Sequence, residues 1–185
     1  MEKYIIGLIL FTILYVTYLL QYYNIILGAL YICVGELIYN HYRYSKNTYP
    51  ADLAGLWVII NLIDNFANLK TVELFKIIAY VNFSDGIQQL IGKRYGTINP
   101  LPTISPNKTL EGYIGGLITS AFISYITEVN LIYYFTGVIG DLLYARIKRN
   151  LEIKDWSCIL GSHGGMLDRF NSSIFSLNYF LTINK

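Results

Sequence analysis

Charge is what this sequence has least of. Only 14% of its 185 residues are Asp, Glu, Lys or Arg, against roughly 25% in an ordinary soluble domain. The formal net charge is +2, which excludes a polyanion such as nucleic acid as the natural partner. Cysteine is scarce as well. Cys33 and Cys158 are far apart, with no CxxC pair and no zinc spacing, so a disulfide framework and a structural zinc site are both excluded. There are two histidines, His41 and His163. No HExxH stretch and no Ser-His-Asp order is present, which removes zinc proteases and serine hydrolases from consideration. Repeats, low-complexity tracts and linkers are missing too, so residues 1–185 read as a single domain.

What is there is apolar sequence, 54% of the chain. A membrane-crossing helix needs about 20 mostly apolar residues. Tyr4 to Leu20 carries no charge and is the clearest such stretch. It is read as a retained helix rather than a cleaved leader, because no small-residue cleavage site follows it. Asn24 to Tyr39 gives a second, with Glu36 near its end. Leu53 to Ile63, Val72 to Phe83, Tyr113 to Ile126, Val129 to Ala145 and Ile174 to Ile183 complete the set. The expected fold is all-α, a polytopic membrane helical bundle of about six or seven transmembrane helices, since backbone in lipid must satisfy its own hydrogen bonds. Lys93, Arg94 and Lys108 lie in one loop and Arg146 to Lys154 in another, two spans later, so both loops face one side. By the positive-inside rule that side is cytoplasmic.

The scarce charge is gathered. Eight charged residues fall within residues 146–169: Arg146, Lys148, Arg149, Glu152, Lys154, Asp155, Asp168 and Arg169. On a helix, Asp141, Tyr144 and Lys148 share one face. His163, Gly164 and Gly165 follow, two glycines permitting close backbone approach or an unusual turn. Upstream, Asp85 ends an apolar stretch, where an ionisable group is costly and functional by default. In "SPNKTLEGYIGG" (105–116), Thr109 is a candidate helix cap. Ser105, Lys108 and free N–H groups there suit phosphate, while Gly112, Gly115 and Gly116 are equally explained by close helix packing. Carboxylates suit Mg²⁺ shared with substrate phosphates, and Lys and Arg suit polyphosphate. The residues alone therefore point to Mg²⁺-dependent phosphate chemistry at a cytoplasmic membrane face.

The stretch "KRNLEIKDWSCILGSHGGMLDRFN" (148–171) closely resembles the signature of the phosphatidate cytidylyltransferases, or CDP-diacylglycerol synthases. Lys148, Arg149, Lys154, Asp155, His163, Gly164, Gly165, Asp168 and Arg169 stand at matching spacing. "GDL" at 140–142, "SPNKTLEGYIGG" and "SDGIQQLIGKRYG" at 84–96 are also similar to family segments, so the resemblance covers residues 80–172. The chain departs from the pattern at Tyr144, at Ala145, at Gly161-Ser162 and at Asn171, which stands where the family carries Asp. The resemblance implies cytidylyl transfer from CTP to phosphatidic acid, giving CDP-diacylglycerol and pyrophosphate. It implies Asp141 and Asp168 as Mg²⁺ ligands with Asp85 third, and admits a second cation. Lys148, Arg149 and Lys154 would contact phosphates, with Asp155 among the catalytic residues. Ser105, Lys108, Thr109, Gly164, Gly165 and Arg169 would lie on the substrate side. His163 would orient or bond phosphate rather than act as a base. The implied partners are CTP, phosphatidic acid and the lipid bilayer, and a homodimer is compatible. Related activities (CDP-archaeol synthesis, a CTP-dependent polyprenol kinase) and a non-catalytic scaffold or lipid-binding relic are the alternatives.

Overall fold

The computed structural model describes residues 23–44, 50–66, 71–161 and 164–183. The expected helix at Tyr4 to Leu20 and the site residue His163 lie outside the described residues. Among the described residues there are six helices and no strand. They are α1 (Tyr23–Tyr44), α2 (Pro50–Asp64), α3 (Thr71–Tyr95), α4 (Leu110–Thr127), α5 (Ile132–Asn150) and α6 (Leu167–Ile183).

Local signals set most of the ends. Pro50 opens α2, where its missing N–H costs nothing. Thr109, in extended conformation, caps α4 by accepting from Gly112 N at 3.3 Å. Glu128, with φ 58°, ends the same helix in the left-handed region. Acidic residues stand in the first turns of α2, α3, α4 and α6, and basic ones in the last turns of α1, α3 and α5. Each complements the helix dipole.

The helices pack as neighbours running up and down, α3 most extensively on α4 and α5 on α6. Gly140 sets the α5–α6 distance: a Cβ there would lie 2.9 Å from Asn171 O and 2.5 Å from Phe175 Cβ. The core holds Leu30, Ile59, Leu62, Ile77, Ile78, Ile147, Trp156, Leu167 and Ile174. Polar groups are buried with them and are bonded to one another. Ser120 Oγ donates to Ser84 Oγ at 2.8 Å, Thr136 Oγ1 to Ser176 Oγ at 3.1 Å, and Asn178 Nδ2 to Val58 O at 2.7 Å. The outer faces are apolar instead. Ile114, Ile118 and Phe122 follow one another at helical spacing along α4, and Leu53 and Trp57 along α2, all exposed.

Four helices outrun their apolar stretches: α1 continues past Tyr39 to Tyr44 and α5 past Ala145 to Asn150, and α3 and α6 overrun by more. α3 continues beyond Phe83 to Tyr95, and α6 begins at Leu167 rather than Ile174. The extra turns of α3 and α6 bury Ser84, Gln88, Asn171, Ser172 and Ser173 alongside Leu167 and Phe170, so the inward face is there but is largely polar. By length and composition one described helix, Ile25–Tyr44, is apolar enough to cross a membrane. The finding supports an all-helical fold; six or seven crossings do not follow from hydropathy alone.

Candidate active site

The basic residues mark one end of the bundle. The α3–α4 loop meets the end of α5 there, Arg149 Nε donating to Ile104 O at 3.2 Å. The end of α1 joins them through Asn40 Nδ2 and Trp156 O at 2.6 Å. The expectation that the two basic loops share a side therefore holds. Of the described lysines and arginines, only Lys76, near the start of α3, belongs to the opposite end.

Lys108 sits in the middle of the first charged cluster. Its Nζ is 2.8 Å from Asp85 Oδ1 on α3 and 2.8 Å from Asp141 Oδ2 on α5. Burial opposes the charge of this ammonium. The carboxylates of Asp85 and Asp141 outweigh that effect and push its pKa up. The other oxygen of Asp141 accepts from Asn171 Nδ2 at 2.7 Å, while Asn171 Oδ1 is turned to Ser172 N at 2.8 Å.

The second cluster lies farther along the same α5–α6 seam, since Asp141 and Lys148 are two turns apart on α5. Lys148 Nζ is 2.7 Å from Asp168 Oδ1. Asp168 Oδ2 accepts from Trp156 N and Gly165 N, both at 2.9 Å. The Asp168 carboxylate thus spans α5, the loop after it and the start of α6. Gly164 has φ +84°, and a Cβ there would lie 2.7 Å from Asp168 Oδ2. Both facts require glycine.

The remaining sequence candidates distribute around these clusters. Ser105 lies in the α3–α4 loop, its carbonyl accepting from Lys108 N at 3.3 Å and from Asn99 Nδ2 at 3.3 Å. Thr109 acts as the α4 cap, and Gly112 and Gly116 pack against Gln88. Arg149, Lys154 and Asp155 are exposed at the same end, and Arg169 is half-buried in the first turn of α6. Tyr144 leaves the expected polar face. It is fully buried and donates its hydroxyl to Gly55 O at 3.0 Å, joining α5 to α2. Glu36, Asn40 and Ser157 were not singled out from the sequence for this site, yet Ser157 lies in its loop and Glu36 and Asn40 contact that loop. The signal available for Glu36 was a carboxylate inside an apolar stretch.

Among the described residues no three His, Cys, Asp or Glu side chains converge to hold a metal ion. Asp85 and Asp141 do converge on one cation, the Lys108 ammonium, and their hard oxygens suit Mg²⁺. That pair fits the ion. Asp168 faces Lys148 and two backbone N–H groups instead.

The phosphatidate cytidylyltransferase of Aquifex aeolicus is 36% identical over 124 residues, covering 62% of this chain and 48% of that protein. That of Bacillus subtilis is 29% identical over 163 residues, covering 74% and 61%. That of Staphylococcus aureus (strain COL) is 41% identical over 102 residues, covering 48% and 39%. The chain thus spans about half the length of the curated relatives it matches. No solved structure matches it. The model of the cytidylyltransferase family matches residues 2–184, taking in every segment that contributes to the two lysine–carboxylate clusters, and the chain belongs to that family.

Proposed function

We propose that this chain transfers the cytidylyl group of CTP to phosphatidic acid, releasing pyrophosphate. The observation that carries the reading is the pair of lysine–carboxylate clusters on one α5–α6 seam, built from the segments that resemble the family signature. A phosphatidate oxygen attacks the α-phosphorus of CTP. The new P–O bond forms as the bond to the β-phosphoryl oxygen breaks, and pyrophosphate leaves with that electron pair. No protein nucleophile is needed, and a phosphate monoester is already largely ionised at pH 7. The chain's part is positioning and charge neutralisation. Lys108 and Lys148 face the phosphates, and Arg149 and Lys154 stand exposed at the same end to meet them. Asp85 and Asp141 would hold Mg²⁺, which supplies further neutralisation of the triphosphate when bound.

The bilayer belongs to the same proposal. Apolar outer stripes on α2 and α4 and hydrogen-bonded polar groups inside suit a bundle whose helices cross lipid together. The cation-rich end would face the cytoplasm. The test is purified protein with labelled CTP, phosphatidic acid and Mg²⁺, scored for CDP-diacylglycerol. Product is expected, EDTA should abolish it and Mg²⁺ restore it. Turnover that survives chelation would sink the metal assignment. CTP retention without product would favour a non-catalytic relic.

Asn171 gives a finer prediction. Replacing it with Asp puts a second carboxylate at the 2.7 Å contact with Asp141. Asn171→Asp is expected to lower the Mg²⁺ concentration for half-maximal activity, with the CTP requirement little changed. An unmoved metal titration would exclude position 171 from the cation site.

A further inference from the structure

Gly165 has no positive φ to require glycine. The reason lies in its surroundings. A Cβ at Gly165 would lie 2.6 and 2.8 Å from the two carboxylate oxygens of Glu36 and 2.8 Å from Ser157 Oγ. A side chain from α1 occupies that space. Glu36 is 6% exposed, and all its visible partners are donors. Oε1 accepts from Ser157 Oγ at 2.6 Å and Met166 N at 2.9 Å, and Oε2 accepts from Leu167 N at 2.8 Å. The two amides belong to the start of α6, where N–H groups have no partner within the helix and a negative charge is favoured.

Asp168 holds the same segment from its other side. Gly165 N goes to Asp168, and the next amide, Met166 N, goes to Glu36. One turn along α1, Asn40 fixes the carbonyl of Trp156, whose N–H goes to Asp168. We propose that Glu36 is a positioning residue of the active site, its carboxylate fixing Gly165–Leu167 so that Asp168 and Lys148 keep their geometry. The proposal rests on the cytidylyl-transfer reading for its activity readout alone.

In the purified full chain, Glu36→Gln keeps the side-chain size but places an NH₂ group where a carboxylate oxygen accepted. The expected result is a fall in kcat of about ten-fold or more, as for other groups that orient a reacting site, with the KM for CTP unchanged. Amide hydrogen exchange should quicken across residues 156–161 and 164–168 and stay unchanged in α3 and α4. A thermal-midpoint cycle supplies a second readout. Gly165→Ala should lower Tm markedly in the wild type and much less in a Glu36→Ala background, which lacks two of the three obstructing atoms. Additive Tm effects, or unchanged exchange at 156–161 and 164–168, would overturn the proposal even if no variant were active. An active wild type with an equally active Glu36→Gln would overturn it too. An inactive wild type counts against cytidylyl transfer, and exchange and the cycle still decide on Glu36.

Discussion

Asp168→Asn is expected to lower kcat by about 10²-fold or more, as for the loss of other charge-stabilising contacts in a transition state. The side chain is nearly isosteric, and the geometry says which contacts survive. An amide oxygen in the place of Oδ2 can still accept from Trp156 N and Gly165 N. The NH₂ group then faces the Lys148 ammonium, where Oδ1 stood at 2.7 Å. The variant keeps the loop and loses the ion pair. Lys148, 15% exposed, is left to swing away or to stay under-solvated, at a cost of about 1–3 kcal/mol. That is a modest fraction of a typical folding free energy, so expression and stability in detergent should stay near the wild type. Lys148→Ala should act on the same pair from the other side, mainly by raising the CTP requirement. If both variants fail to fold, the pair is structural and its catalytic role is wrong.

The legible part of this fold was its helices, and the less legible part was where they end. α2 and α4 keep close to the apolar stretches because their outward faces are apolar and their inward faces are mostly small or apolar, Gly55, Val58, Ile59 and Leu62 in α2 and Gly112, Gly116 and Ser120 in α4. α3 and α6 do not, because Ser84, Gln88, Asn171 and Ser172 are buried and hydrogen-bond within the bundle. A hydropathy reading takes those residues for loop. The site behaved in the same way. Its components were visible as short motifs, but their pairing was not. The sequence suggested Asp141 and Asp168 together with Asp85 as a third; in space Asp85 and Asp141 share Lys108, and Asp168 takes Lys148. Glu36 is separated from Ser157 by 121 positions, and no local pattern can announce such a contact. Only its charge within an apolar helix hinted at it.

The shared lysine leads to the other large effect. Lys108→Met removes the one ammonium between two carboxylates and keeps the apolar length of the side chain. Asp85 and Asp141 are then left facing each other, 27% and 16% exposed, with the Asn171 amide as a partner for Asp141 only. Breaking a fully buried pair costs about 3–5 kcal/mol, and partial solvation of these carboxylates reduces that to about 2–3 kcal/mol. The expected result in EDTA is a clearly lowered Tm, with activity down by about 10²-fold or more at any Mg²⁺ concentration, because a phosphate contact is gone as well. The diagnostic measurement is Tm against added Mg²⁺ in the absence of substrate. A ligand that binds only the folded state raises Tm by mass action. In the variant the pair is vacant of its ammonium, so Mg²⁺ should bind it more tightly and raise Tm further than in the wild type. Lys108 would then be the cation that keeps Asp85 and Asp141 together until the metal arrives, free afterwards to turn towards the triphosphate. An equal Mg²⁺ response in both proteins would place the metal elsewhere. An unchanged Tm in EDTA would mean that the ammonium does not hold the two carboxylates together.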